Sequence, residues 1–551
     1  MAHGEPRQID TVIVGNGPSA LILSYILHGN IPWYDESSPH PDRILHDKLV
    51  RSSHDHDLLS LDIDAVTDHF AASRFSYSTQ ALPVNVLLDT LVRPLGETDD
   101  AQKKTCVKWC QDPSRAISHL VIGNTPRAGG QWVDDPVHAS WDIETLSYAG
   151  MISLPGYGFD VHYERQNGRP MPVYLRPSRR AVADYLAAYP EQAGIGDSIS
   201  NGEQVSGVSR HGDGFYIASH NLVCKNLVLA SGIFSHLIPP PPSLRPLLRL
   251  HDDHRSRTGA GADSGSLLLI GSGFSAADVI ISSPPNQRIL HVYKWAPSTS
   301  PSPLRACHQQ AYPEYAGVYR RMKLAAMSCS ASKDKSPRPR PRHTHADFDL
   351  SRDWASTYEG LPNAEITDVQ LTDDGAALVT FQMGSAPVFQ RRVSSFANVI
   401  GRRGSLDYLS SELLREVMPQ TSGEDSGLIS GQTLREKANE DLEVAPNILI
   451  VGSLTGDSLI RFAYGGCAYA AGKIASRRPT AVTGRANDVN STSLSTEKDK
   501  SSNGIQVSLK ESLSRCQTPS PRIPAMNGLD GHAPSPVSLA DKGTPSDRLE
   551  E

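Results

Sequence analysis

The sequence predicts an α/β protein with two Rossmann-like dinucleotide-binding domains, on three observations. Short β-type runs end at glycine in four places: TVIV at 11–14, NLVLASG at 226–232, LLLI at 267–270 and NILIVGS at 447–453. Helical stretches lie between them, the alternation that builds parallel sheets. Two of the runs lead straight into glycine loops of one design, at Gly15 and Gly271.

The first loop reads Gly15-Asn16-Gly17-Pro18-Ser19-Ala20. It follows a β run and opens an apolar helical stretch from about Pro18 to His28. In this setting Gly15 permits the tight turn and Gly17 lets backbone approach a pyrophosphate. Ala20 is small enough for helix and strand to pack closely. The helix start offers unpaired N–H groups and a partial positive charge to the phosphates. An acid about 20 residues on would bind a ribose hydroxyl. Asp35 occupies that place, beside Glu36; the alternative for both is a polar turn, YDESSPHP.

The second loop reads Gly271-Ser272-Gly273-Phe274-Ser275-Ala276. The residues at the corresponding distance beyond it are Arg288, His291 and Lys294, with no acid. A basic residue there suits the 2′-phosphate of NADPH rather than NADH. Lys294 lies just past a β run, ILHVY, where such a ligand belongs. Two loops imply one dinucleotide held permanently and one that visits.

The chain has 551 residues, 38% of them hydrophobic, and a net charge of −7. That balance argues against a nucleic-acid partner. The start, MAHGEPRQID, lacks the apolar core of a signal peptide, and the apolar run at 20–27 is too short to span a bilayer. A cytoplasmic protein without a transmembrane segment is expected. Seven cysteines show no CxxC pattern; Cys106 and Cys110 could share a helix face but read as ordinary thiols. His138, His308, His343 and His345 have no ligand spacing, so no metal is expected. Residues 238–265, with PPPP, read as a crossing between domains, and the basic, proline-rich 328–346 as a surface loop. Residues 479–551 are poor in apolar side chains and read as a disordered tail.

Eight stretches carry a family resemblance, in unbroken order. They are VIVGNGPSALILSYIL at the N-terminus, LPVNVLLDTLVRP at 82–94, GGQW at 129–132 and MISLPGY at 151–157. LVLASGIF at 227–234, LLLIGSGFSAAD at 267–278, YPEY at 312–315 and GSLTGDSLIRFAYGGCAYAAGKI at 452–474 complete them. Together they resemble the flavin monooxygenase superfamily and, within it, the oxidative-stress-induced growth inhibitor family. Ala20 and Ser231 are mild departures, standing where glycine and threonine are usual.

The resemblance implies an FAD domain assembled from 1–240 and 396–478, with an NADPH domain inserted at 265–395. It implies that Gln131 and Trp132 lie near the flavin, and Gly456 and Asp457 near the FAD ribityl–pyrophosphate. An Asp after a buried strand can accept ribityl hydroxyls, and a helix starting beyond it would aim its positive end at the flavin. The implied chemistry is a monooxygenase reaction: NADPH reduces FAD, and O2 is activated as a C4a-(hydro)peroxyflavin that oxygenates a small-molecule substrate. No protein nucleophile is needed, in keeping with the lack of GxSxG or HExxH, and no side chain is assigned as catalytic.

Some residues keep two readings. Arg176 and Arg179 are phosphate or NADPH ligands, or a solvated helix start. Arg461 is at the flavin edge or in a structural ion pair. Tyr312 and Tyr315 line the cleft or pack. Two further functions stay open: an NADPH oxidase or reductase without oxygenation, and a non-catalytic regulatory flavoprotein. Coupling of NADPH use to product separates the first from a monooxygenase, and the intact glycine loops speak against the second.

Overall fold

The computed structural model describes residues 5–52, 57–75, 77–96, 104–250, 265–330, 352–418 and 428–478. The tail 479–551, most of the basic stretch 328–346 and the later half of the crossing 238–265 lie outside these residues.

The first β run forms the strand Arg7–Val14, with parallel neighbours on both sides, Leu222–Leu229 and His119–Gly123. Ile448–Ile450 and Ile199–Asn201 extend the sheet in parallel on either flank. Strands covered on both faces need apolar side chains on both, hence continuous β-branched runs rather than alternation. Ile13 enters one core, and Val12 and Val14 the other. The first core is roofed by the helices Pro18–Leu27, Pro83–Val92 and Ala463–Ser476. The second is closed by the hairpin Val208–His211 and Gly214–Ile217 and by the helix Ser411–Val417.

A second parallel sheet runs in the order Tyr358–Pro362, Ile289–Tyr293, Leu267–Ile270, Ser395–Asn398. Leu269 packs with the helices Phe274–Ser282 and Pro313–Ser330. Leu268 packs with an antiparallel meander of Glu365–Leu371, Ala377–Gln382 and Phe389–Val393. In sequence this sheet sits between Leu222–Leu229 and Ile448–Ile450 of the first. The chain passes out through His236–Leu237 and returns through Arg402–Ser405, and the two crossings pair antiparallel. The fold is therefore the α/β type expected, with two strand–glycine loop–helix units. Leu244, Leu247 and Leu250 of the proline-rich crossing are buried on the meander side, so that stretch is packed.

The strand that follows the first helix lies outside both parallel sheets. Asn30–Tyr34 joins neither parallel sheet and pairs antiparallel with Val107–Gln111. Cys110 lies in that second strand and Cys106 just ahead of it, so the two do not share a helix face. Among the described residues no helix is long and apolar enough to cross a membrane.

The helix Arg179–Gln192 fixes the turn at 153–157. The Tyr185 hydroxyl donates to the Tyr157 carbonyl and accepts from the Leu154 N–H, both at 2.7 Å. Tyr189 donates to the Pro155 carbonyl at 2.6 Å. Tyr185→Phe would leave a buried N–H and carbonyl without their partner, at a cost of about 3 kcal/mol in urea unfolding. An unchanged midpoint would show that the turn is held by other contacts.

Candidate functional site

Gly15 has φ +116°, and a Cβ there would lie 2.4 Å from the Ala230 carbonyl oxygen, so glycine is required. Gly17 is the opposite case: a Cβ would meet no atom within 4 Å. The helix Pro18–Leu27 starts on Gly17 with no side-chain cap and no acid in its first turn. Its leading N–H groups and positive end are left for an anion.

The second loop repeats the plan. Gly271 has φ +152°, and its Cβ would lie 2.6 Å from the Val399 carbonyl oxygen. Over Gly273 the nearest atom would be Pro303 Cγ, at an ordinary 3.9 Å. The helix Phe274–Ser282 starts on Gly273, again without a side-chain cap or an early acid. Phe274 packs edge-on against Tyr315, and the Ser272 carbonyl accepts from Ser302 at 2.6 Å; Ser275 lies in the first helical turn.

Each loop is pinned by one buried polar side chain. Asn16, 2% exposed, donates to the Thr125 and Arg127 carbonyls at 3.2 and 3.3 Å and to Asn201 Oδ1 at 2.8 Å. It accepts from Thr125 Oγ1 at 2.7 Å. These partners lie at the ends of the neighbouring strands His119–Gly123 and Ile199–Asn201. Gly123 makes the room, since a Cβ there would sit 2.2 Å from Asn16 Cγ. In the second loop the fully buried His291 donates from Nε2 to the Gly271 carbonyl at 2.7 Å, so Nδ1 accepts from the Tyr358 hydroxyl at 2.9 Å. Burial keeps this imidazole neutral, its pKa pushed down to about 4.

The first loop floors a cleft of about 420 Å3, lined by Gly15, Asn16, Gly17, Pro18 and Ser19 and also by Gln131, Trp132 and Asp457. Gly456 lies just behind, at φ +93°, where a Cβ would be 2.8 Å from the Gly431 carbonyl oxygen. Asp457 is already engaged: Oδ2 accepts from the Leu82 N–H and Asn85 Nδ2, and Oδ1 from Arg435, at 2.9, 2.7 and 2.8 Å. It braces the closing segment against 82–85. The helix beyond it begins only at Ala463, after the short turn Ile460–Phe462.

Asp35 is a correction. Its carboxylate pairs with Lys108 at 2.6 Å and accepts from the Ser37 N–H and Oγ, in the polar turn, and it does not line the cleft. The place beside the first strand belongs to His119–Gly123, whose end, Gly123-Asn124-Thr125, lines the cleft together with Glu203. Spacing missed these residues because the excursion over 28–118 separates the first helix from that strand. The signal was HLVIG, a further β run ending at glycine just ahead of GGQW.

At the second loop Lys294 is exposed at the end of Ile289–Tyr293, the strand beside Leu267–Ile270. Arg288 pairs with Glu359 at 3.1 Å, and His291 is locked beneath the loop. Arg176 donates to the Thr145 and Ala311 carbonyls and lies over Tyr312, while Arg179 lies over Trp141. Tyr315 donates to Asp278 at 2.8 Å. Arg461 forms the structural ion pair, with Asp89 at 2.6 Å.

Two outcomes follow. Gly123→Ala should destabilise the chain by about 2 kcal/mol, and Asn16→Gly in the same chain should recover part of that loss, giving a coupling of about 1 kcal/mol. Strictly additive effects would contradict the contact. For His291, the unfolded imidazole takes a proton near its ordinary 6.5, whereas the folded one does so only near 4. Stability therefore falls as pH drops through that window, by up to about 3 kcal/mol from this group. His291→Gln keeps a donor for Gly271 and should flatten the fall by that share; an unchanged slope would contradict it.

No protein-family model matches the chain. The oxidative stress induced growth inhibitor homolog of Caenorhabditis elegans is 31% identical over 206 residues, 37% of this chain and 41% of that protein. Oxidative stress-induced growth inhibitor 1 of Mus musculus is 26% identical over 86% of this chain and 96% of its own length. Among solved structures, a flavin-containing monooxygenase from Stenotrophomonas maltophilia aligns with TM-score 0.44 and 13% identity, over 85% of this chain and 99% of that one. L-lysine 6-monooxygenase from Pseudomonas syringae aligns with TM-score 0.43 and 16% identity, over 85% and 98%. The curated relatives of this chain are oxidative stress-induced growth inhibitors, the family its motifs resemble.

Proposed function

We propose that the protein is an FAD-dependent, NADPH-using monooxygenase of a small-molecule metabolite. The observation that carries this reading is the pair of glycine loops built alike, each with its first glycine forced and an uncapped helix start behind its second. The first cleft fits FAD: a side chain on Gly17 would fill the open space where a pyrophosphate needs backbone. In this reading 15–19 hold the pyrophosphate, Asn124 and Glu203 serve the adenosine end in place of Asp35, and Gln131 and Trp132 flank the ring end. Residues 271–275 hold the NADPH pyrophosphate and Lys294 its 2′-phosphate.

Held in that cleft, FAD would supply the redox chemistry between NADPH and O2. The chain's part is to bind, orient and shield. Asn16 and His291 keep both loops rigid without placing a side-chain charge against the phosphates. Asp457 acts through the brace it forms with Arg435 and Asn85.

Lys294→Ala should raise KM for NADPH about tenfold and leave that for NADH unchanged, as loss of one charge-assisted contact predicts. Equal losses for both would remove Lys294 from the site. Product formed per NADPH, across small amines, thioethers and ketones, tests the oxygenation itself. Hydrogen peroxide in place of product with every class would leave an oxidase.

A further inference from the structure

The loop 202–207 brings Glu203, Gln204, Val205 and Ser206 into the wall of the nucleotide cleft. Its start is tied to the end of His119–Gly123, where the Gly202 and Glu203 N–H groups donate to the Thr125 and Gly123 carbonyls at 2.9 and 3.0 Å. Its end is tied to the turn Ala218–His220, whose Ala218 and Ser219 N–H groups donate to the Gly207 and Ser206 carbonyls, both at 3.2 Å. The backbone under Glu203 is therefore fixed. Its side chain is 48% accessible, and nothing in the backbone stops it from swinging.

Two side-chain contacts do. Ser200 Oγ donates to Glu203 Oε1 at 2.6 Å, and His220 Nε2 donates to Oε2 at 2.8 Å. His220 is itself held from behind. Its Nδ1 is bonded to Ser219 Oγ at 2.7 Å, and that oxygen accepts the Ser206 N–H at 3.0 Å. The serine can donate to a neutral imidazole or accept from a charged one, and in both cases Nε2 carries the hydrogen that faces Glu203. Ser200 and then His220 hold the Glu203 carboxyl below the usual carboxylate range, so it stays an acceptor. An ionised carboxylate accepts about four hydrogen bonds, and two are used here. Each oxygen keeps capacity for a ligand in the cleft, whereas His220, with a side chain 14% exposed, does not line it.

We propose that His220 is a positioning residue for the cofactor: through its bond to Glu203, backed by Ser219, it presets the carboxylate that receives the hydroxyl or amino hydrogens of the adenosine of FAD. The proposal rests on the FAD reading above. An unrestrained glutamate would give up its rotamer freedom when the cofactor arrives; here folding has already removed it, so less of the binding free energy is lost to ordering.

The test is flavin binding by the full chain freed of flavin, read from fluorescence quenching with FAD and with FMN, which lacks the adenosine. His220→Ala should weaken FAD about tenfold and leave FMN unchanged. His220→Gln keeps a donor and should recover part of that loss. Glu203→Ala should also weaken FAD about tenfold, and adding His220→Ala to it should cost nothing more, because His220 acts through Glu203 alone. Unchanged FAD affinity in His220→Ala, equal losses for FAD and FMN, or losses that multiply in the double variant would overturn the proposal and leave the cleft an FAD site. A wild-type chain that takes up no FAD would overturn the FAD reading, and this proposal with it.

Discussion

One buried amide governs the first site. Asn16 bonds to Thr125, Arg127 and Asn201, and so ties the glycine loop to the ends of two neighbouring strands. Its side chain occupies the volume that a Cβ on Gly123 would need. A buried amide left unsatisfied is costly, so the four groups hold each other in one arrangement. What the loop then presents outward is backbone and an uncapped helix start, a surface suited to a phosphate.

The second sheet reaches the same result with other atoms. His291 replaces Asn16 as the inner clamp, bonding the Gly271 carbonyl from the adjacent strand. In both units the first glycine is forced by a carbonyl just beyond the other flanking strand, Ala230 or Val399. The loop is therefore squeezed between a clamp on one side and a carbonyl on the other. Parallel sheets make this natural, because strand ends and helix starts gather at one edge. The two antiparallel crossings at His236–Leu237 and Arg402–Ser405 join the two units.

The loops were legible because their demands are local: a turn, an open glycine and a small residue, all within six positions. Lys294 follows from the same reasoning, since its strand is next both in sequence and in the sheet. Asp35 failed on that assumption. The strand that follows the first helix in sequence pairs with Val107–Gln111, and His119–Gly123 takes the place beside the first strand. Asn16 and His291 could not be recognised as clamps. The partners of Asn16 lie 109 and 185 residues away, and those of His291 are a loop carbonyl and Tyr358. The roles of Arg461 and Asp457 were hidden in the same way, because Asp89, Asn85 and Arg435 meet them only in the folded chain.

In the proposed function one chain holds two dinucleotides that exchange a hydride. Absorbance of the FAD-loaded full-length protein, followed without oxygen while NADPH is added, tests it most directly. The yellow flavin band should bleach with NADPH and do so more slowly with NADH. A chain that cannot be loaded with FAD, or one that holds FAD and keeps its colour in NADPH, would contradict it.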